Sequence, residues 1–204
     1  GAEIGRPVGL HYHYGTLGQL QHGENYAPAY LRTIGLQLRP PRPLKKWPYA
    51  KGSAVKLFIL AGHRNMEGER AFVQELRDLK GGEPLSRDNA TIAYKYDLGV
   101  GYHRSQGWEP LGLTGYYDTF GPELSFARTV AGAAEGNIAI AKFTHSGSQI
   151  IDWTPEGSMA RSRHIYPEFI QFVEDSIREL SAKGHEVEVE GIFYHMGEND
   201  MSFH

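Results

Sequence analysis

The chain has 204 residues, of which 40% are hydrophobic and 22% charged, enough to bury one globular core. Its 21 Lys and Arg against 24 Asp and Glu give a net charge of -3, which supplies no electrostatic attraction to nucleic acid or an anionic membrane surface. The absence of Cys excludes disulfides, thiolate metal sites, iron–sulfur clusters and Cys nucleophiles.

In chain order, residues 1–52 differ from the rest. A short β-like run, Val8-Gly9-Leu10-His11-Tyr12-His13-Tyr14, is followed by an alternating run over 31–38 and then by Arg39-Pro40-Pro41-Arg42-Pro43. Proline cannot donate to a ladder and favours extended backbone, so 39–52 reads as a connector or surface strap, with the globular domain at 53–204. The start Gly1-Ala2-Glu3 has neither an initiator Met nor a signal-peptide core, and no apolar run approaches the ~20 residues of a membrane span. We therefore expect a soluble chain whose N-terminus lies further upstream.

Lys56-Leu57-Phe58-Ile59-Leu60 is an apolar run of the kind buried on both faces of a parallel sheet, ended by Ala61-Gly62. The spacing of Phe72, Val73, Leu76 and Leu79 predicts one helix over 66–80, stopped by Gly81-Gly82. Residues 83–120, rich in Gly and Tyr, read as a long insertion over the sheet edge. Pro122 opens a helix over 122–134. A strand follows over 138–143. Pro167 starts a helix over 166–183 with an apolar stripe of Phe169, Ile170, Val173, Ile177 and Leu180, and the last strand covers 187–194. This order predicts an α/β three-layer α/β/α sandwich with a mainly parallel sheet.

Ligands of such sheets lie past the C-terminal strand ends. Gly62-His63-Arg64-Asn65-Met66, Thr144-His145-Ser146-Gly147 and His195-Met196-Gly197-Glu198-Asn199-Asp200 fall there. The first of these, with Phe58 to Gly68, resembles the first block of the sialate O-acetylesterase and acetylxylan esterase group of the SGNH hydrolases, written apolar strand, Gly, Gln, Ser, Asn, Met, small, Gly. Phe120-Gly121-Pro122-Glu123-Leu124-Ser125-Phe126-Ala127 resembles the second block. Gly147, Ile150 and Trp153 resemble the segment Gly-Gly-Thr-x-Ile-x-x-Trp, and 191–200 the one ending in Gln-Gly-Glu-Ser-Asp. The resemblance covers residues 55–200 and implies a flavodoxin-like fold, an extracytoplasmic location and carbohydrate O-acetylester hydrolysis. In that chemistry a Ser on the strand-to-helix turn attacks the ester, Gln and backbone N–H groups hold the oxyanion, and a later Asp-x-x-His supplies the base.

This chain departs from the pattern at the chemical positions. The nucleophile slot holds Arg64, which cannot be acylated, and the oxyanion slots hold Gly121 and Met196, the latter with no side-chain N–H to give. The chain stops at His204, before an Asp-x-x-His would fall, so the esterase domain is expected to lack its C-terminal part and to be covered there by another copy or a complementing chain. The function expected is an O-acetylesterase-like domain impaired in catalysis; the alternative is a saccharide-binding, anion-binding or structural module.

Arg64 with His63 can form an anion site for a carboxylate, sulfate or phosphate, or can pair internally with Glu198 or Asp200. Ser146, beside His145, is the candidate for a relocated nucleophile. The expected ligand-binding set is His63, Arg64, Asn65, His145, Gly147, Trp153, His195, Glu198 and Asp200, with Trp153 stacking on a sugar ring and the ligand an acidic or sulfated sugar. His195 is as readily a packed, hydrogen-bonded residue, and Trp108, Tyr116 and Tyr117 are core aromatics or sugar platforms. His11 and His13 share one face of a strand, but no third ligand lies nearby, so no metal and no cofactor are expected.

Overall fold

The computed structural model describes residues 42–101, 103–115, 118–159 and 164–203. The chain divides into units 1–40 and 41–204, and all described residues lie in the second. The runs at 8–14 and 31–38, with His11 and His13, and the aromatics Tyr116 and Tyr117 fall outside the described residues.

Three strands set the frame of the sheet. β1 (Ala54–Gly62), β5 (Asn137–Thr144) and β6 (Glu186–His195) are parallel, β1 lying between the other two. The three strands expected from hydrophobic patterning are thus neighbours in one sheet. Its order is β3-β2-β5-β1-β6, with β4 also pairing β2. β2 (Asn89–Leu98) runs parallel to β5, while β3 (His103–Arg104) and β4 (Glu109–Leu111) are antiparallel to β2.

β2 overturns the reading of 83–120 as an insertion. Tyr94 and Tyr96 are buried in it, at 0% and 4% exposure, and the Tyr94 and Thr114 hydroxyls share a hydrogen bond of 3.0 Å. A polar tip with a partner lets Tyr serve as a core residue.

The single helix expected over 66–80 is two: α1 (Arg64–Glu67) and α2 (Val73–Asp78). Gly68 ends α1 with φ of 92°, and a Cβ there would lie 1.8 Å from the Phe120 carbonyl oxygen. The backbone at 68–72 is drawn against 119–120, where Phe72 bridges Thr119 and the Phe120 N–H donates to Ala71 O at 3.0 Å. Tertiary pairing overrides helical spacing here, so Val73 and Leu76 are buried while Phe72 and Leu79 are exposed.

α3 (Glu123–Ala133) and α4 (Tyr166–Ala182) follow the sequence expectation closely. Phe172, Ser176 and Leu180 are the buried residues of α4, flanked by the half-buried Phe169, Val173 and Ile177. The sheet separates two apolar clusters. One joins Val55, Leu57, Ile59, Phe143, Trp153 and α4; the other joins Leu60, Tyr94, Ile140 and α1 to α3. This is the three-layer sandwich. No helix among the described residues is long and apolar enough to cross a membrane.

The Pro-rich strap packs with the sheet. Tyr49 is buried, its hydroxyl donates to the Ile138 carbonyl, and it accepts the Ala93 N–H at 2.8 Å. Trp47 donates to His185 Nε2 at 2.6 Å and carries Lys183 over its ring. At the other end of the sheet order, β6 has β1 as its neighbour, and a bulge at Glu190 separates the register Leu57↔Val189 from Phe58↔Gly191. Beyond the bulge Ile192 and Tyr194 are about half exposed on the α4 side and Phe193 on the other.

Candidate functional site

The register that pairs Gly62 with both Thr144 and His195 brings the segments after β1, β5 and β6 to one edge of the sheet. Gly62, at φ of 145°, is where they close: a Cβ there would sit 1.9 Å from the His195 carbonyl oxygen. The same strand ends are stitched by His63 N–H to His195 O at 2.9 Å and His145 N–H to Gly62 O at 3.0 Å.

His63 is fully buried among these loops. Its Nε2 accepts the Gly147 N–H at 2.8 Å. The proton of the neutral ring therefore sits on Nδ1, which faces Glu198 Oε2 at 3.5 Å. Burial lowers the pKa of the imidazole, although the Glu198 charge opposes this. Glu198 gathers the turn from the other side: its Oε1 accepts the Asn65 N–H at 3.1 Å and Asn65 Nδ2 at 2.9 Å. Burial alone would raise this carboxyl, but hydrogen bonds from the Asn65 N–H and from its own backbone N–H outweigh it and hold it below the usual range. Asp200 accepts the Ile150 N–H with both oxygens, at 3.1 and 3.2 Å.

Arg64 therefore does not pair with Glu198 or Asp200, which correct the internal pairing considered from the sequence. Those carboxylates are engaged with backbone and Asn donors. The Arg64 side chain is 50% exposed, and its Nε lies 3.3 Å from Glu69 Oε2 on an equally exposed side chain. Such a surface pair contributes roughly 0–1 kcal/mol. His195 is exposed at the end of β6.

At the expected oxyanion slots neither the Gly121 N–H nor the Met196 side chain is a free donor. The Gly121 N–H goes to Glu123 Oε1 at 3.1 Å. Met196 is partly buried against the core, its Sδ 4.0 Å from Ser148 Oγ. Trp153 is also corrected: it is 8% exposed, and its ring meets Phe143, Phe169 and Tyr194 with centroids 5.5–5.8 Å away. Its Nε1 donates to Ser148 Oγ at 3.0 Å. It is a core residue and presents no face to a sugar; Trp108, 6% exposed, is likewise in the core.

Sequence reading missed the layer beneath the loops. Glu67, nearly buried, accepts Ser146 Oγ at 2.9 Å and Thr144 Oγ1 at 3.1 Å on one oxygen; burial raises its carboxyl despite those two donors. Lys142 donates to the Glu67 carbonyl at 3.0 Å and to Glu123 Oε2 at 2.6 Å, with both side chains fully buried. A Lys inside an apolar strand run was the available signal, since a buried ammonium requires a paired carboxylate. Among the described residues no group of three or more His, Asp or Glu is arranged to hold a metal.

His63 gives a pH test. Its folded pKa lies below the unfolded value near 6.5, so the unfolded chain takes the proton first, and stability falls as the pH drops from about 6.5 toward the depressed value. The slope reaches at most about 1.4 kcal/mol per pH unit. Glu67, raised by burial, acts in the opposite sense, so the variant is compared with wild type. Denaturant midpoints at pH 7.5 and 5.5 should differ less in His63→Gln than in wild type. Equal differences would show that His63 is not buried neutral.

Comparison with known proteins gives the following. Residues 54–204 match the family described as carbohydrate esterase, sialic acid-specific acetylesterase. No curated protein matches the chain. Among solved structures, that of a protein from Arabidopsis thaliana, determined by X-ray diffraction at 1.6 Å, is 21% identical, covering 74% of this chain and 59% of that one, with a TM-score of 0.47. This chain thus spans less than two thirds of that protein's length. With the match extending from the first residue of β1 to the end of the sequence, the chain belongs to the sialic acid-specific acetylesterase family of carbohydrate esterases.

Proposed function

We propose that this domain binds an acidic or sulfated saccharide at the family's ester site without turning it over by the family's serine chemistry. The observation that supports this most directly is Arg64: a half-exposed guanidinium, held only by a weak surface partner, stands where the nucleophile would be. A guanidinium grips a carboxylate or sulfate through two parallel N–H groups and has no lone pair with which to attack an ester. Of the donors expected for an oxyanion, the Gly121 N–H is engaged with Glu123, and the Met196 side chain supplies none. The turn residues Gly62, Asn65, Glu198 and Asp200 still bring the loops together, so the frame around Arg64 is kept.

The test is titration of wild type and Arg64→Lys with a uronic-acid oligosaccharide, a sulfated one and a neutral one, with p-nitrophenyl acetate hydrolysis measured alongside. We expect the anionic sugars to bind at least tenfold tighter than the neutral one, this preference to shrink in Arg64→Lys, and hydrolysis no faster than in Arg64→Ala. Equal weak binding of all three sugars by both proteins would overturn the reading.

A second reading rests on Ser146. Its hydroxyl points at a buried carboxylate 2.9 Å away, the contact a general base makes with a nucleophile. Turnover abolished by both Ser146→Ala and Glu67→Gln would establish this reading in place of the first.

A further inference from the structure

His63 is bonded to its surroundings in a way that only one protonation state allows. We propose that it is an acid-sensitive latch, which in its neutral form ties the loop 145–149 after β5 to the turn after β1 and on protonation lets the apex of that loop go. The latch belongs to the frame and works whatever occupies the site at Arg64, so it stands or falls apart from the saccharide reading.

A neutral imidazole has one donor and one acceptor, an imidazolium two donors. His63 Nε2 spends its acceptor on the Gly147 N–H at 2.8 Å. A proton added there would set two N–H groups face to face at that distance, so the bond does not survive the charge. Nδ1 responds in the opposite way. It lies 3.5 Å from Glu198 Oε2, long for an N–H···O bond, and a positive ring is drawn toward that carboxylate. Glu198 is ready for it, since Asn65 fixes its Oε1 through two donors and the carboxyl is held below the usual range, ionised where His63 takes up its proton. One proton thus weakens the contact on the β5 side and strengthens the one on the β6 side, the condition for two discrete arrangements.

The loop can yield at one point. Its shoulders are held without His63, by the His145 N–H on Gly62 O at 3.0 Å and by Ser148 Oγ, which donates to the His145 carbonyl and accepts from Trp153 Nε1. Between them Gly147, at φ of 85°, has no atom within 4 Å of where a Cβ would stand, so nothing on that side obstructs its movement. Ser146 shares the apex through its bond to Glu67.

Charges face the ring from each neighbouring segment. Arg64 of α1 opposes the proton, while Glu69 of the following turn and Glu198 after β6 favour it; burial opposes it most strongly and keeps the imidazole below its ordinary value. His195 meets it through its backbone carbonyl, His145 bonds Gly62 and Asp200 bonds Ile150. Glu67, beneath the loop and raised by burial, is the other group able to titrate under it. The latch is therefore shut at neutral pH and opens in acid.

The experiment is a pH titration of the isotopically labelled chain from pH 7.5 downward, following the His63 ring nitrogens and the Gly147 amide by NMR. At pH 7.5 the ring should be the Nδ1–H tautomer. The Gly147 amide proton should move upfield with the same midpoint as the ring, below about 6.5, and its exchange protection, corrected for the intrinsic rate, should fall at least tenfold while that of Ile140 in β5 is kept. His63→Gln offers Gly147 an acceptor at every pH and should abolish the Gly147 transition; Glu67→Gln should leave it in place. The latch is disproved by the Nε2–H tautomer at pH 7.5, by a Gly147 amide that does not follow the ring, by a transition that persists in His63→Gln or vanishes in Glu67→Gln, or by Ile140 losing protection together with Gly147. Should His63→Gln fail to fold, wild type and Glu67→Gln decide the matter by themselves.

Discussion

Replacing Lys142 by Met should cost about 3–5 kcal/mol of stability, the loss expected when one member of a buried ion pair is removed and the other stays behind uncompensated. Glu123 would remain fully buried at the start of α3 with its Oε1 on the Gly121 N–H and nothing to answer its Oε2. The Glu67 carbonyl would lose its donor as well. Lys142→Met/Glu123→Leu removes both charges, and exchanging a buried pair for apolar side chains of similar volume is often neutral or stabilising. The double variant should therefore recover most of the loss. Urea unfolding of the three proteins measures it. A double variant no more stable than Lys142→Met would show that the pair is needed for more than its mutual neutralisation, with the bond to the Glu67 carbonyl the first place to look.

Gly62→Ala should be still more damaging, destabilising by more than about 4 kcal/mol, in the range reserved for substitutions with a specific steric cause. An added Cβ would come within 1.9 Å of the His195 carbonyl oxygen, which is backbone of β6 and already accepts the His63 N–H. Nothing flexible can move aside, and the φ of 145° is itself unfavourable for a side chain. Gly147→Ala is the comparison. It shares a positive φ of 85° but has open space around the position, so it should cost about 1–2 kcal/mol of backbone strain alone. Thermal melts of the two separate close approach from conformational preference; similar losses in both would mean that strand contact at Gly62 is not what constrains the site.

How far the sequence reaches can be judged from particular residues. The runs around Leu57 and Ile140 announced buried parallel strands because central strands covered on both faces are continuously apolar, and together with the last strand, which is largely exposed at the end of the order, they set the edge that carries 62–65, 144–148 and 195–200. β2 was hidden because its core side chains are tyrosines, whose burial depends on partners such as Thr114 that composition does not reveal. The split of 66–80 was hidden because Gly68 and Phe72 answer to the Phe120 backbone, a contact distant in sequence. At the site, the absence of a serine at 64 was plain, yet the partners were not. Charge alone pointed Arg64 toward Glu198 and Asp200, whereas those carboxylates are consumed by the N–H groups of Asn65 and Ile150. Backbone donors carry no letter in a sequence. Trp153 was misread for a related reason: a motif gives position along the chain and not which way a ring turns.

The strand order has a consequence for how the chain comes to be folded. β1 is made first of the central strands, yet its two neighbours begin at Asn137 and Glu186, so during synthesis its apolar row waits unpaired until most of the domain has left the ribosome. Long-range parallel pairing makes a slow nucleus, since a large loop must close before any contact rewards it. β2, too, finds its parallel partner only when β5 arrives. Assembly of this sheet thus hinges on β5, which docks on β1 and β2 together and carries Lys142 into its ion pair. Before that moment the nascent chain exposes the segments most prone to aggregate, and a cell producing it would be expected to hold it on chaperones until residue 144 has emerged.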